Sequence, residues 1–173
     1  MIWRLMISLD QKYRLLLEHL TETGPAGRQR MRLCFEALAL AAAIDRDGAA
    51  RLGRHGLSEG RFVLLVVLLD APDGLSPHAL AEAAGVTRAT VTGLLDGLEG
   101  GGWIRRDAHA DDRRRLTVRL TPDGAARARR LRAEHGRWLA TLVDGLSDDE
   151  RQTLSRLLGR VFAGTAAGRG RPG

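Results

Sequence analysis

Between Ser76 and Thr121 the sequence lays two short helical patterns around a tight turn and follows them with an arginine-loaded hairpin. This stretch constrains the fold more than any other. Ser76-Pro77 is a helix start: the serine hydroxyl accepts an orphan backbone N–H, and proline suits the first helical position. Leu80, Ala81 and Ala84 share one face of that helix, which should end at Gly85. After Val86, Thr87 is placed to cap a second helix, in which Val91, Leu94, Leu95 and Leu98 recur at i, i+3, i+4 and i+7 as a buried stripe. Two short helices joined by a three- to four-residue turn containing glycine form the helix-turn-helix pattern.

The outer face of the second helix carries Ala89, Thr90, Thr92, Gly93 and Asp96, with Arg88 near its start. A face so small and hydroxylated suits a DNA major groove, where hydroxyls meet base edges or phosphates and an arginine pairs with guanine. Gly93 and Gly97 each cost about 1 kcal/mol relative to alanine in a helix, which points to close approach of something at those positions. Beyond Gly100-Gly101-Gly102, Trp103 to Arg106 reads as one strand and Leu116 to Leu120 as another, with period-two alternation. The intervening Asp107 to Arg115 is too polar to be buried. From Arg105 to Arg119 six arginines face three aspartates, and a hairpin of that charge suits a phosphate backbone or the minor groove.

These residues resemble the multiple-antibiotic-resistance-regulator (MarR) family of winged helix-turn-helix regulators. The resemblance rests on Leu80-Ala81-Glu82, Gly85 to Thr92, Leu98-Glu99 with Gly102 to Arg106, Asp112-Arg113-Arg114, and Leu120 to Gly124. It implies that Asp112 braces the wing and that Arg114 reaches DNA. At Gly93 and Gly97 the chain departs from the pattern, since members often carry a basic or large polar residue there. The expected DNA contacts are to phosphate from Thr87, Thr90, Arg105, Arg113 and Arg114, and to the groove from Arg88, Ala89, Thr92 and Gly93. The resemblance also implies a homodimer on a palindromic operator, acting as a repressor. A small, often phenolic or aromatic acid would bind between the dimer helices and the DNA-binding lobe. Residues placed to line such a site are His55, Arg61, His78, Arg137 and Trp138. Met31 to Phe35 resembles the segment that holds a reactive cysteine in the peroxide-sensing branch, so a redox sensor at Cys34 is an alternative. Leu38 stands where a tyrosine partner is expected, and the chain's one tyrosine is Tyr13. A cysteine among Leu and Phe with no such donor is otherwise a small inert hydrophobe. A second alternative is a winged helix used for protein contacts alone, which predicts an acidic or apolar wing in place of this basic one.

The flanks supply a frame for two such heads. By pattern the chain is mainly α with a small β-wing. Residues 1–27 form an extension with a short helix and a linker from Thr21 to Gly27. Residues 28–56 and 122–163 are dimerisation helices, 57–121 the DNA-binding lobe, and 164–173 an unstructured tail. Leu33, Ala37, Leu40, Ala41 and Ile44 give the first long helix an apolar side, while Phe62 to Leu69 is apolar nearly all round and belongs in the core. Gly74 to Ser76 has the character of a short third strand. Thr121-Pro122 starts one C-terminal helix, and Ser147 with Glu150 forms a capping box for the last. Long amphipathic helices on both sides of a reading head suit a C2 dimer whose heads sit about 34 Å apart.

Composition closes off other classes. With 44% hydrophobic residues among 173, the chain supports one domain with a sizeable core. A net charge of +6 points to a polyanion partner, and all but one of the 27 basic residues are arginine, which favours bidentate contacts. No apolar run is long enough for a membrane span, and charged residues interrupt the first twenty, so neither a span nor a signal peptide is expected. A single cysteine fits a reducing cytoplasm, and the MarR resemblance implies a bacterial one, with the protein on the nucleoid. No His/Cys/carboxylate cluster has metal spacing, and Gly100–Gly102 ends a helix where a phosphate loop would open one. Neither metal, cofactor nor catalytic residues are expected.

Overall fold

The computed structural model describes residues 9–19, 24–108 and 116–170. In chain order these form α1 (Gln11–His19), α2 (Gly24–Gly53), α3 (Glu59–Leu69), α4 (Pro77–Ala84), α5 (Arg88–Gly100), β1 (Ile104–Ala108), β2 (Leu116–Leu120), α6 (Pro122–Thr141), α7 (Asp148–Ala163) and α8 (Ala166–Arg169). They fall into two compact units, residues 1–125 and 126–173. The mainly α architecture with one two-stranded wing is the winged helix-turn-helix expected from sequence. No described helix is long and apolar enough to cross a membrane.

The first unit is built around α3. Ser58 caps it, its hydroxyl accepting from the Arg61 backbone N–H at 3.4 Å. Phe62, Leu64, Leu65 and Leu68 are buried, and α4, α5 and β2 pack against the helix. Leu80 and Ala81 of α4, Val91, Leu95 and Leu98 of α5, and Trp103, Ile104 and Val118 of the wing root close the same core. Each large apolar side chain so buried contributes about 1.5–3 kcal/mol. Ser76 caps α4, accepting from the Ala79 N–H at 3.1 Å. Gly85 ends it at φ 65, a left-handed conformation in which Gly85 N–H reaches Glu82 O and Val86 N–H reaches Ala81 O. That reversal lets α5 start at once from Thr87, whose hydroxyl accepts from the Thr90 N–H at 3.2 Å.

The wing departs from the sequence reading in three ways. Trp103 lies outside the ladder, because its N–H is held by Leu98 O at the end of α5, and pairing begins at Ile104. At the far end β1 extends through Asp107 and Ala108, opposite Thr117 and Leu116. The third strand expected at Gly74–Ser76 is a single bridge, Leu75 to Val118. Gly74 makes this close approach possible: at φ 80 its backbone passes beside Val118 O and the side chains of Thr117 and Arg119.

The amino-terminal flank also differs. The linker expected over Thr21 to Gly27 is helical from Gly24, because Pro25, lacking an N–H and preset in φ, is suited to the first turn of α2. The leucines placed on the packed side of α2 are turned outward, Leu33 being 63% and Leu40 48% exposed. Buried instead are Gly27, Ala39, Gly48 and Leu52. Tyr13 of α1 stacks on Phe35 with ring centroids 5.0 Å apart, which ties the extension to α2. Of the short helix expected over residues 5–20, residues 5–8 and 20 lie outside the described residues, and α1 begins at Gln11.

In the second unit α7 opens with the expected capping box. Glu150 N–H donates to Ser147 Oγ at 3.3 Å, and Ser147 N–H donates to the Glu150 carboxylate at 2.8 Å. That backbone bond, followed by the hydroxyl, holds the Glu150 carboxyl below its ordinary value. Arg151 donates to the carbonyls of Val143 and Leu146, closing the turn before the helix. Leu154, Leu157, Leu158, Val161 and Phe162 form an apolar stripe along α7 that is exposed in the protomer. The tail, expected to lack structure from residue 164, carries the one-turn helix α8. Thr165 Oγ1 caps it by accepting from Gly168 N–H at 3.1 Å.

Candidate nucleic-acid interface

The face of α5 opposite its core stripe is open. Ala89, Thr90, Thr92 and Gly93 are all exposed, and a methyl group added at Gly93 would meet nothing within 4 Å. The hydroxyls differ in availability. Thr87 Oγ1 and Thr90 Oγ1 lie 2.8 Å apart at the helix start, and Thr92 Oγ1 donates to Arg88 O at 3.2 Å, leaving its lone pairs outward. The start of α5 carries exposed backbone N–H groups and the positive end of the helix dipole, both suited to a phosphate. Arg88 is exposed beside them, its guanidinium 3.3 Å from His78 Nε2 of α4.

Gly93 and Gly97 are equivalent by helical pattern, and the structure separates them. At Gly97 a methyl group would run into the guanidinium of Arg61, which lies across α5 from the start of α3. Gly97 is therefore small for packing inside the lobe, while Gly93 opens onto solvent. Arg61 also donates to Gly56 O at 3.4 Å.

The hairpin arginines sort in a similar way. Arg119 is spent on the wing root: Nε donates to Asp73 O at 2.8 Å and Nη1 to Asp107 Oδ2 at 3.0 Å. Arg106 reaches back to Asp96 and Glu99 of α5. Arg105, opposite Arg119 in the ladder, keeps its side chain 60% exposed and, among the described residues, pairs with Asp107 at 3.5 Å. These bracing pairs were missed in the sequence, which shows the charges but not their directions. Asp112, Arg113 and Arg114 lie outside the described residues.

This geometry has clear relatives. The MarR family profile matches residues 57–116. The HTH-type transcriptional repressor YetL of Bacillus subtilis is 32% identical over 152 residues, covering 87% of this chain and 91% of that protein. The chain belongs to the MarR family. The HTH-type transcriptional regulator PecS of Dickeya dadantii is 34% identical over 120 residues, 68% of this chain and 72% of its own. Among solved structures, a mutant of MarR from E. coli complexed with operator DNA superposes with a TM-score of 0.59 at 27% identity. It covers 83% of this chain and 97% of that one.

The five residues expected to line a MarR-type effector site divide between the two units. His55 is exposed in the turn after α2, Arg61 lies on Gly97, and His78 meets Arg88. On α6, Arg137 is exposed and Trp138 is buried, its ring 5.0 Å from that of His135. Cys34 is exposed on α2, next in sequence to the Phe35 that Tyr13 covers. Among the described residues no group of three His, Cys, Asp or Glu is arranged to hold a metal ion.

Proposed function

We propose that this MarR-family protein is a cytoplasmic transcriptional repressor that binds a palindromic operator as a homodimer. The observation that carries the reading is the outer face of α5. It is open and nearly free of bulk from Ala89 to Gly93, is capped by Thr87 with Arg88 as its first residue, and stands beside a basic hairpin. Thr87, Thr90, Arg105, Arg113 and Arg114 supply phosphate contacts; Arg88, Ala89, Thr92 and Gly93 enter the groove, with Asp112 bracing the wing. Such contacts fix register through phosphates and specify sequence through base edges. The dimer is supported by the apolar stripes of α2 and α7, which leave Leu33, Leu40, Leu157, Leu158 and Phe162 in water in the protomer. The operator-bound MarR of E. coli and the repressor name of YetL support the same reading.

A small-molecule effector, possessing higher affinity for the DNA-free arrangement, releases the operator by population shift. His78 is the effector candidate with the most direct route, because a ligand that engages it competes with Arg88 at the start of α5. Footprinting on the DNA upstream of the coding region tests the proposal. Two protected half-sites centred about one helical turn apart support it, and a panel of aromatic acids and peroxide then separates ligand release from Cys34 oxidation. Protection of a single half-site, or none, contradicts it.

A further inference from the structure

Of the hairpin arginines, Arg106 is turned toward the helix that precedes it. Its ladder partner is Val118, and its guanidinium crosses to α5, with Nη2 2.5 Å from Asp96 Oδ1. Nε lies 3.3 Å from Glu99 Oε2, close enough for an ion pair though poorly angled for a hydrogen bond. The Arg106 side chain is only 22% exposed, whereas Asp96 is 63% exposed. Asp96 follows Ala89 and Gly93 along the stripe that the reading above turns toward DNA. A carboxylate there repels phosphates, and among major-groove donors it suits chiefly the amino groups of cytosine and adenine.

The link between α5 and β1 is the three residues Gly101, Gly102 and Trp103. The link is held at its root, with Gly102 N–H on Glu99 O, Trp103 N–H on Leu98 O and Thr121 Oγ1 donating to Gly102 O, so a side-chain tie matters farther out, where the wing leaves the helix. Arg106 supplies one from the third residue of β1, engaging α5 at Asp96 and again one turn on, at Glu99. We infer that Arg106 is a positioning residue for DNA recognition, clamping the wing to α5 through Asp96 and Glu99. Groove contacts and backbone contacts are thereby presented at one fixed angle. The inference rests on the DNA-binding reading and adds to it a residue whose role is not contact.

The sign of one variant separates a clamp from simple electrostatics. Asp96→Asn with Glu99→Gln removes two negative charges from the DNA side of the lobe, which by charge alone tightens binding to any duplex. With a clamp, the double variant binds the footprinted operator fragment roughly three- to tenfold more weakly than wild type, while its affinity for random duplex of equal length holds or rises. The triple variant with Arg106→Gln added keeps the wild-type salt slope, whereas loss of a phosphate contact lowers that slope by about 0.9. All variants are compared at a temperature where melting shows them folded. An operator affinity of the double variant equal to or tighter than wild type overturns the inference, as does a slope reduced by about 0.9 in the triple variant. A wild-type chain without preference for the fragment overturns the DNA reading itself. The tie is then still read without DNA, as non-additivity of the Arg106 and Asp96/Glu99 substitutions in urea unfolding, and additive effects refute it.

Discussion

Gly93→Ala should make the protein more stable and a poorer binder of its operator. In an exposed helix interior alanine is favoured over glycine by about 1 kcal/mol. A methyl group at Gly93 meets nothing within 4 Å, so that gain is realised in full in the free protein. For a chain of this size it corresponds to a rise in Tm of about 2–4 °C at fixed protein concentration. The same methyl faces the groove once α5 is seated. Forcing one extra carbon into a close-packed surface costs about 1–3 kcal/mol, which is roughly a five- to 150-fold loss of operator affinity. Thermal melting and fluorescence anisotropy on one preparation read both effects. Gly97→Ala is the control: its methyl meets the Arg61 guanidinium, which must leave Gly56 O, so the propensity gain is largely offset and DNA is not touched directly. A Gly93→Ala protein that is stabilised yet binds operator as tightly as wild type refutes the placement of the outer face of α5 in the groove.

Further outcomes follow from the proposed interface and from the fold. Arg114→Ala should weaken binding to specific and random duplex alike and lower the salt slope by about 0.9, measured in a sodium chloride series. Gly74→Ala should destabilise the lobe by about 2–4 kcal/mol in urea unfolding, from left-handed strain plus overpacking. The added methyl would sit 2.5 Å from both Val118 O and Arg119 Cγ. Leu157→Asp, on the exposed stripe of α7, should shift sedimentation toward monomer and abolish two-half-site protection without unfolding the lobe. Glu150 is held below its ordinary pKa chiefly by the Ser147 N–H, so its stabilisation is complete above that ordinary value and is lost as pH falls through the lowered one. Glu150→Gln should therefore flatten the acid limb of stability against pH; an unchanged limb contradicts the role of the capping box.

Much of the lobe was legible because its signals are local. Ser76 and Thr87 each cap the helix that follows, and Gly85 turns the chain, through bonds that span three to five residues; outside the lobe, Ser147 caps α7 in the same way. The stripe Val91, Leu95, Leu98 needs only helical periodicity to be read. What the sequence left hidden depends on directions between elements. Nothing in the string of arginines separates Arg119, bound to Asp73 O across forty-six residues, from Arg105, which points to solvent. The packing of Arg61 on Gly97 is equally non-local, so a residue placed among effector candidates proves to be a neighbour of α5. The exposed leucines of α2 have the same cause: periodicity finds an apolar side, but not whether the protomer itself covers it.

The most direct test of the central claim is the affinity of the full chain for its own upstream DNA and for a scrambled duplex of equal length, across a salt series. The account predicts a preference of roughly a thousandfold or more at physiological salt, with affinity for both duplexes falling steeply as salt rises. Equal affinity for the two duplexes, or binding indifferent to salt, would contradict it.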